Sequence, residues 1–264
     1  MDKRIYDWVF DFFIISLLLF IIYKYVVCAW RTRFAESFSM SSTIDYYVIT
    51  MSQPDRLNNI KIQADKLGKQ QNASIKQVDA VVGKETDIDD LISRHILTPN
   101  IYENKGNMFT NVFEKRKNEV GCYLSHLKTY DLIRDLKNDN KTNKKYSVVF
   151  EDDFELAPDF SEILERTLLK LEGLDRDFDM LFLGISGNNG GKVIDNVYQT
   201  MPGSFGAYGY VITNKNIERI IEKMKYIDNI VDVQMFDKGA KKELTTLRLS
   251  PVIVNPGSFA TTIR

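Results

Sequence analysis

The spacing of hydrophobic residues divides the chain into three stretches. From Trp8 to Trp30 apolar side chains are nearly continuous, and the run Phe12 to Tyr23 holds Ser16 as its one small polar residue. A bilayer core takes roughly 20 helical residues, so residues 1–30 are expected to form a transmembrane anchor, with Lys24 snorkelling and Trp and Tyr at the interfaces. Residues 31–43, RTRFAESFSMSST, carry neither a helical nor a strand period and predict a short stem. From residue 44 to 264 short apolar runs alternate with amphipathic stripes. IDYYVIT predicts a strand; the next segment predicts a helix, with Pro54 near its start, Leu57, Ile60, Ala64 and Leu67 on one face, and Gly68 as a stop. The alternation recurs with an apolar helix face from Val120 to Ile133, the strand YSVVF, a helix after Pro158, the strand FDMLFLG, and GAYGYVIT leading into NKNIERIIEKM. Strands alternating with helices predict one α/β layered domain with a mostly parallel central sheet.

The same segment that spans can also be read as a signal peptide. A cleavage site needs small residues, and CAWRTRF places Trp30 and Arg31 there, which favours an uncleaved, single-pass anchor. Lys3 and Arg4 before the span balance Arg31 and Arg33 after it, so the side of the membrane stays open, an endomembrane lumen included.

Charge narrows the partners. With 35 Lys+Arg against 36 Asp+Glu the formal net charge is -1, which provides no overall field for holding nucleic acid. Two cysteines, Cys28 and Cys122, define no disulfide framework, and Cys122 is expected in the core. With His95 and His126 scattered among them, close zinc spacing is absent from the sequence and a zinc site is not expected.

The chemistry-bearing stretch is YSVVFEDDFEL, where a buried-type strand runs into Glu151, Asp152 and Asp153. Three adjacent carboxylates repel unless water or a cation lies among them. In α/β sheets ligands bind beyond the carboxyl ends of strands, which is where the triplet falls. If the backbone stays extended, Glu151 and Asp153 share one face and Asp152 points to the other. Such oxygen ligands suit Mn²⁺ or Mg²⁺ completed by substrate phosphates. The plain alternative is an acidic start to the next helix, favoured by its dipole.

Four segments in order, YYVITMSQPDR, NEVGCYLSHL, VVFEDDFEL and GAYGYVITNKNIERI, resemble the pattern of glycosyltransferase family 25, which includes lipopolysaccharide and collagen galactosyltransferases. QVDAVVGKE and NIVDVQM extend the likeness from about Asp45 to Pro256. The resemblance implies a GT-A fold, a UDP-sugar donor such as UDP-galactose, a divalent metal, a glycan or glycoprotein acceptor, and inversion at the anomeric carbon.

Carried over by position, Glu151 and Asp153 hold the metal, with Glu151 also near the donor's ribose-diphosphate end. Arg56, Asp79, Ser125 and His126 match positions around the donor, Gly206 with Ala207 and Gly209 leaves room for the donor's sugar ring close to backbone, and Asp232 matches an acidic position that can act as base or ligand. Ordinary readings stand beside these: a surface charge for Arg56, a solvated turn for Asp79, a hydrogen-bonded core pair for Ser125 and His126, and strand packing for Gly206. Two departures touch the pattern. The usual INLDR start appears as ITMSQPDR, and Val231 precedes Asp232 where the family commonly has Pro. The rival to an enzyme is a membrane-anchored binding or structural protein that keeps the fold without turnover.

Overall fold

The computed structural model describes residues 16, 18–25, 43–71, 73–102, 109–110 and 112–257 of the 264. It divides into two units, Met1–Ser42 and Thr43–Arg264. In the first, residues 16 and 18–25 are helical, and Lys24 Nζ lies 5.6 Å from the Phe20 ring centroid. Most of the expected anchor and stem lies outside the described residues. Among the described residues no helix is long and apolar enough to cross a membrane.

In the second unit the strand and helix patterns become an eight-stranded sheet between two helical layers. Its elements include β1 (Ile44–Thr50), α1 (Pro54–Gln71), β2 (Ile75–Asp79), α2 (Ile88–Ser93), α3 (Phe113–Asn138), β3 (Tyr146–Glu151), β4 (Phe154–Leu156), α4 (Phe160–Gly173) and β5 (Met180–Ser186). They continue with β6 (Lys192–Ile194), β7 (Val197–Gln199), β8 (Phe205–Thr213), α5 (Ile217–Met224), α6 (Val231–Ala240), β9 (Thr246–Leu249) and β10 (Val254–Pro256). The sheet order is β2-β1-β3-β8-β5-β9-β7-β6, and β4 pairs separately with β10. β2, β1, β3, β5, β9 and β6 run one way, while β7 and β8 run the other. The sheet is therefore mostly parallel, with β8 set antiparallel between β3 and β5.

Strand periodicity explains the layers. Tyr47, Ile49, Val149, Phe182 and Tyr210 join one apolar cluster with Val120, Tyr123 and Tyr130 of α3, Ile217 and Ile220 of α5, and Met235 and Phe236 of α6. The intervening positions serve the other face: Phe150 stacks on Tyr46 and on Phe154, and packs against Phe160 of α4. Because both faces are covered, β1 and β3 are buried nearly throughout, which is why they read as continuous apolar runs.

Two expected boundaries move. Gly68 does not stop α1, which continues to Gln71: a helical glycine costs only about 1 kcal/mol, and Leu67 beside it is fully buried. α3 extends well beyond Val120–Ile133, because its ends pack less and leave a weaker periodic signal. It passes unusually close to the turn after β2. A Cβ on Gly121 would lie 2.7 Å from the Gly83 Cα and N, and one on Gly83 would lie 2.1 Å from the Lys117 carbonyl oxygen. Paired glycines permit that approach. Ser125 Oγ then bridges helix and turn, accepting from the Val81 N–H at 2.8 Å and donating to the Gly121 carbonyl at 2.7 Å.

Candidate active site

The sheet topology gathers the acidic residues. β1 and β3 are parallel neighbours with Ile49 opposite Glu151, so their carboxyl ends lie side by side. β8 runs antiparallel to β3, with Phe150 opposite Gly209, so the start of β8 arrives at that same end. This brings Gly206 toward Glu151. Gly206 adopts φ +90, where a side chain would strike the Tyr208 ring at 2.7 Å. In that conformation its N–H donates to Asp232 Oδ2 at 2.7 Å, while Asp232 Oδ1 accepts from the Val233 N–H at 2.8 Å. Asp232 is thus fixed at the first turn of α6, where a negative charge is favoured.

Glu151 ends β3, but Asp152 and Asp153 form a turn into β4, so the extended backbone expected for the triplet breaks after its first residue. The next element is a strand, so the triplet does not open a helix either. α1 holds this turn from beneath: Asn59 Nδ2 donates to the carbonyls of Asp152 (3.2 Å) and Phe154 (3.0 Å), and Gln63 Oε1 accepts from the Leu156 N–H at 3.1 Å. Arg56, 2% exposed, places Nη1 at 3.7 Å from Asp152 Oδ1 and 3.6 Å from Asp153 Oδ2. Part of the answer to the carboxylate cluster is therefore a buried internal cation that touches both aspartates.

The remaining charge is not offset. Burial, then the Glu151 charge, push Asp153 up from 3.8 to about 6, with Arg56 acting in the opposite sense. Its Oδ1 is buried and has no hydrogen-bond partner. Asp152 is also raised by burial, but its carboxylate accepts from the Thr50 hydroxyl and the Met51 N–H, so it is committed to the end of β1. Asp232 is raised by burial, against the pull of its two backbone donors and with Glu151 adding repulsion.

α3 closes the site from the other face. His126, 1% exposed, sits with Nδ1 2.7 Å from Tyr210 Oη and Nε2 3.6 Å from Glu151 Oε1. It is a core histidine and also faces the acidic end of β3. Cys122, one helical turn earlier, shares that face, and burial followed by the charges of Glu151, Asp232, Glu119 and Asp153 drives its thiol well upward. Cys122 packs against the core cluster as expected, and from there it also lies beside His126 and Glu151. The i,i+4 spacing of Cys122 and His126 was the available signal.

Other expected site residues lie differently. Ser125 is 1% exposed and spends its hydroxyl on Val81 and Gly121. Asp79 is exposed at the end of edge strand β2, and its backbone carbonyl accepts from Lys128 Nζ at 2.8 Å. Glu151, Asp153, Asp232, Arg56, His126 and Gly206 belong to one locality.

A family model described as glycosyltransferase family 25 (LPS biosynthesis protein) matches residues 43–235, about three quarters of the chain. Procollagen galactosyltransferase 1-A of Xenopus laevis is 25% identical over 166 residues, covering 54% of this chain and 25% of that protein. The chain therefore spans about a quarter of that relative's length. Among solved structures, S. aureus TarS 1-349 in complex with UDP-GlcNAc is 13% identical at a TM-score of 0.41, covering 83% of this chain and 59% of that one. Apo UDP-glucose pyrophosphorylase is 10% identical at 0.39, covering 78% and 90%. Both structural likenesses are too partial to argue from. The family match takes in the whole acidic locality, from Arg56 through the Glu151–Asp153 turn to Asp232, and by it the chain belongs to glycosyltransferase family 25.

Proposed function

We propose that the chain transfers a hexose, galactose by its resemblance, from a UDP-sugar to a glycan or glycoprotein acceptor with inversion, on a GT-A-like domain of residues 44–264. The observation that carries this reading is the convergence of Glu151, Asp153 and Asp232 at the carboxyl end of β3 with Arg56 behind them. The residues fit a divalent cation. Asp153 presents a buried oxygen without a partner, its neighbour Glu151 supplies a second carboxylate, and an all-oxygen set suits Mn²⁺ or Mg²⁺. Bound there, the metal supplies electrostatic stabilisation of the departing nucleoside diphosphate.

The chain's own residues do the rest. Arg56 holds the Asp152–Asp153 turn in place and keeps the two charges from expelling one another. Asp232, locked by the Gly206 and Val233 N–H groups, is the carboxylate set to take the acceptor hydroxyl's proton. Burial raises its basicity relative to an exposed aspartate, which favours that role.

A screen of UDP-sugars for hydrolysis and transfer, with and without Mn²⁺, tests the reading. Turnover of one donor that depends on Mn²⁺ is the expected result, and the absence of both turnover and Mn²⁺-dependent UDP binding would overturn it. The same binding is expected to weaken as pH falls through about 6, where Asp153 takes up a proton. The sign for stability is opposite. In the metal-free protein Asp153 contributes fully below about 3.8 and loses that contribution as pH rises through about 6, up to about 3 kcal/mol. Isothermal titration with UDP and Mn²⁺ across that range checks the first part; flat affinity from about pH 5 to 7, roughly one unit either side of the shifted value, removes Asp153 from the metal.

Residues 1–30 are proposed as a single-pass membrane anchor and 31–43 as its stem, on the apolar run from Phe12 to Tyr23. A chain beginning near Ser42 is therefore expected to be soluble and folded. If it aggregates while the full chain in detergent stays monomeric, the first 41 residues are part of the fold.

A further inference from the structure

We propose that Cys122, His126 and Glu151 form a second cation site, selective for a thiophilic divalent ion such as Zn²⁺ and exclusive of the oxygen site at Glu151 and Asp153. Helix α3 presents the thiol and the imidazole one turn apart on one face, and the end of β3 brings the carboxylate to meet them. One ligating atom from each lies within 4.8 Å of the other two, and His126 Nε2 to Glu151 Oε1 is 3.6 Å. Tetrahedral zinc, with bonds of about 2.0–2.3 Å, sets its ligand atoms roughly 3.5 Å apart. The imidazole–carboxylate edge already has that length. The thiol edges close by a small movement, available to a Glu151 side chain that is 28% exposed.

The histidine supplies the independent observation. Nε2 is buried and has no hydrogen-bond partner, although its ring is held firmly from the other side. Tyr210 Oη lies 2.7 Å from Nδ1 and can accept a hydrogen bond from Nδ1–H while its own O–H donates to Tyr130 Oη at 2.9 Å. That arrangement leaves the Nε2 lone pair facing Cys122 and Glu151, with the ring orientation fixed by an outer hydrogen bond as metal-binding histidines require. An orphaned buried nitrogen is costly without a ligand. A cation at this point gives it one.

The donor set decides the class of ion. Thiolate and imidazole favour zinc or cadmium over manganese or magnesium, and three protein ligands leave a fourth position for water. Binding forms one S–metal bond while the Cys122 thiol proton leaves to solvent, so no oxidant or reductant is involved. The surrounding carboxylates, which disfavour a bare thiolate, favour the dication that replaces the proton. Glu151 is shared by the two sites, and a dication already held there repels a second one at close range, so a thiophilic ion here competes with Mn²⁺.

The test is cadmium titration of the full-length chain in detergent, reduced, with Cys28→Ser so that Cys122 is the sole thiol, and with no donor or Mn²⁺ present. One equivalent of Cd²⁺ is expected to produce a sulfur-to-metal charge-transfer absorbance. Cys122→Ser and Cys122→Ala should abolish the band, with metal-free melting curves close to the parent's. Tyr210→Phe, which removes the outer hydrogen bond, is expected to weaken cadmium binding about 10–100-fold, and Mn²⁺ with UDP should raise the apparent cadmium dissociation constant. No charge-transfer band at saturating cadmium, or a band indifferent to His126→Gln, overturns the site. Because no turnover or donor enters the main titration, its failure beside intact Mn²⁺-dependent UDP binding leaves the transferase reading standing, and the reverse result leaves the thiophilic site standing.

Discussion

Asp153→Asn is expected to abolish UDP-sugar turnover and Mn²⁺-dependent UDP binding while leaving the metal-free protein as stable as before, or more stable by up to about 3 kcal/mol, the contribution that the ionised carboxyl forfeits. The sign follows from what surrounds the carboxylate. Burial and the Glu151 charge outweigh the help from Arg56, so ionised Asp153 is a net liability to the empty fold near neutral pH. An amide keeps the shape and removes the charge. Asp152→Asn is expected to leave most of the Mn²⁺-dependent affinity and to change metal-free stability little, because burial disfavours its charge as well while its carboxylate accepts from Thr50 and the Met51 N–H, and losing one of those bonds offsets the relief. This contrast between the two aspartates rests on their hydrogen bonds and not on opposite faces of a strand, because the backbone turns between Glu151 and Asp153. UDP titration with Mn²⁺, paired with melting curves without metal, reads both effects. Equal loss of affinity in the two variants would sink the assignment of the metal to Asp153.

A large structural effect is expected at Gly121. On helix propensity alone Gly121→Ala should stabilise α3 by about 1 kcal/mol. The added Cβ, however, would sit 2.7 Å from the Gly83 Cα and N and 2.8 Å from the Val81 carbonyl oxygen. These are backbone atoms, so the helix or the turn must move. Overpacking of this kind costs typically 1–3 kcal/mol and more where backbone shifts. Displacement also threatens the bond from Val81 N–H to Ser125 Oγ and the position of Cys122 and His126 against Glu151. A net loss of about 2–4 kcal/mol is expected, a fall in the melting temperature of roughly 4–15 °C for a domain of this size. Cadmium affinity should fall with it. A melting temperature equal to or above the parent's would show that the glycine contact is not needed.

The order of strands and helices was legible in the sequence because β1, β3 and α4 have the periods of buried strands and an amphipathic helix. Short strands were not. β4, β6, β7 and β10 are three residues each, too short for any period to show, and they exist because a partner strand satisfies their backbone. The acidic triplet alone read equally as an acidic helix start, and it became a candidate site through the other segments that accompany it in the family's order. Where each carboxylate lies and what it touches was decided by tertiary structure. Arg56 comes from α1, Asp232 from α6 and its N–H donor from β8, and only the antiparallel insertion of β8 beside β3 brings them to one end of the sheet. Cys122 and His126 show the same division. Their four-residue spacing was readable, but the direction of that helix face was set by two glycines that let α3 press against the turn after β2, and by Tyr210 holding the imidazole toward Glu151. Local sequence sets period and charge, because neighbours along the chain determine backbone preference. The ligand set of a site depends on which distant groups share a low-dielectric volume, and packing alone determines that.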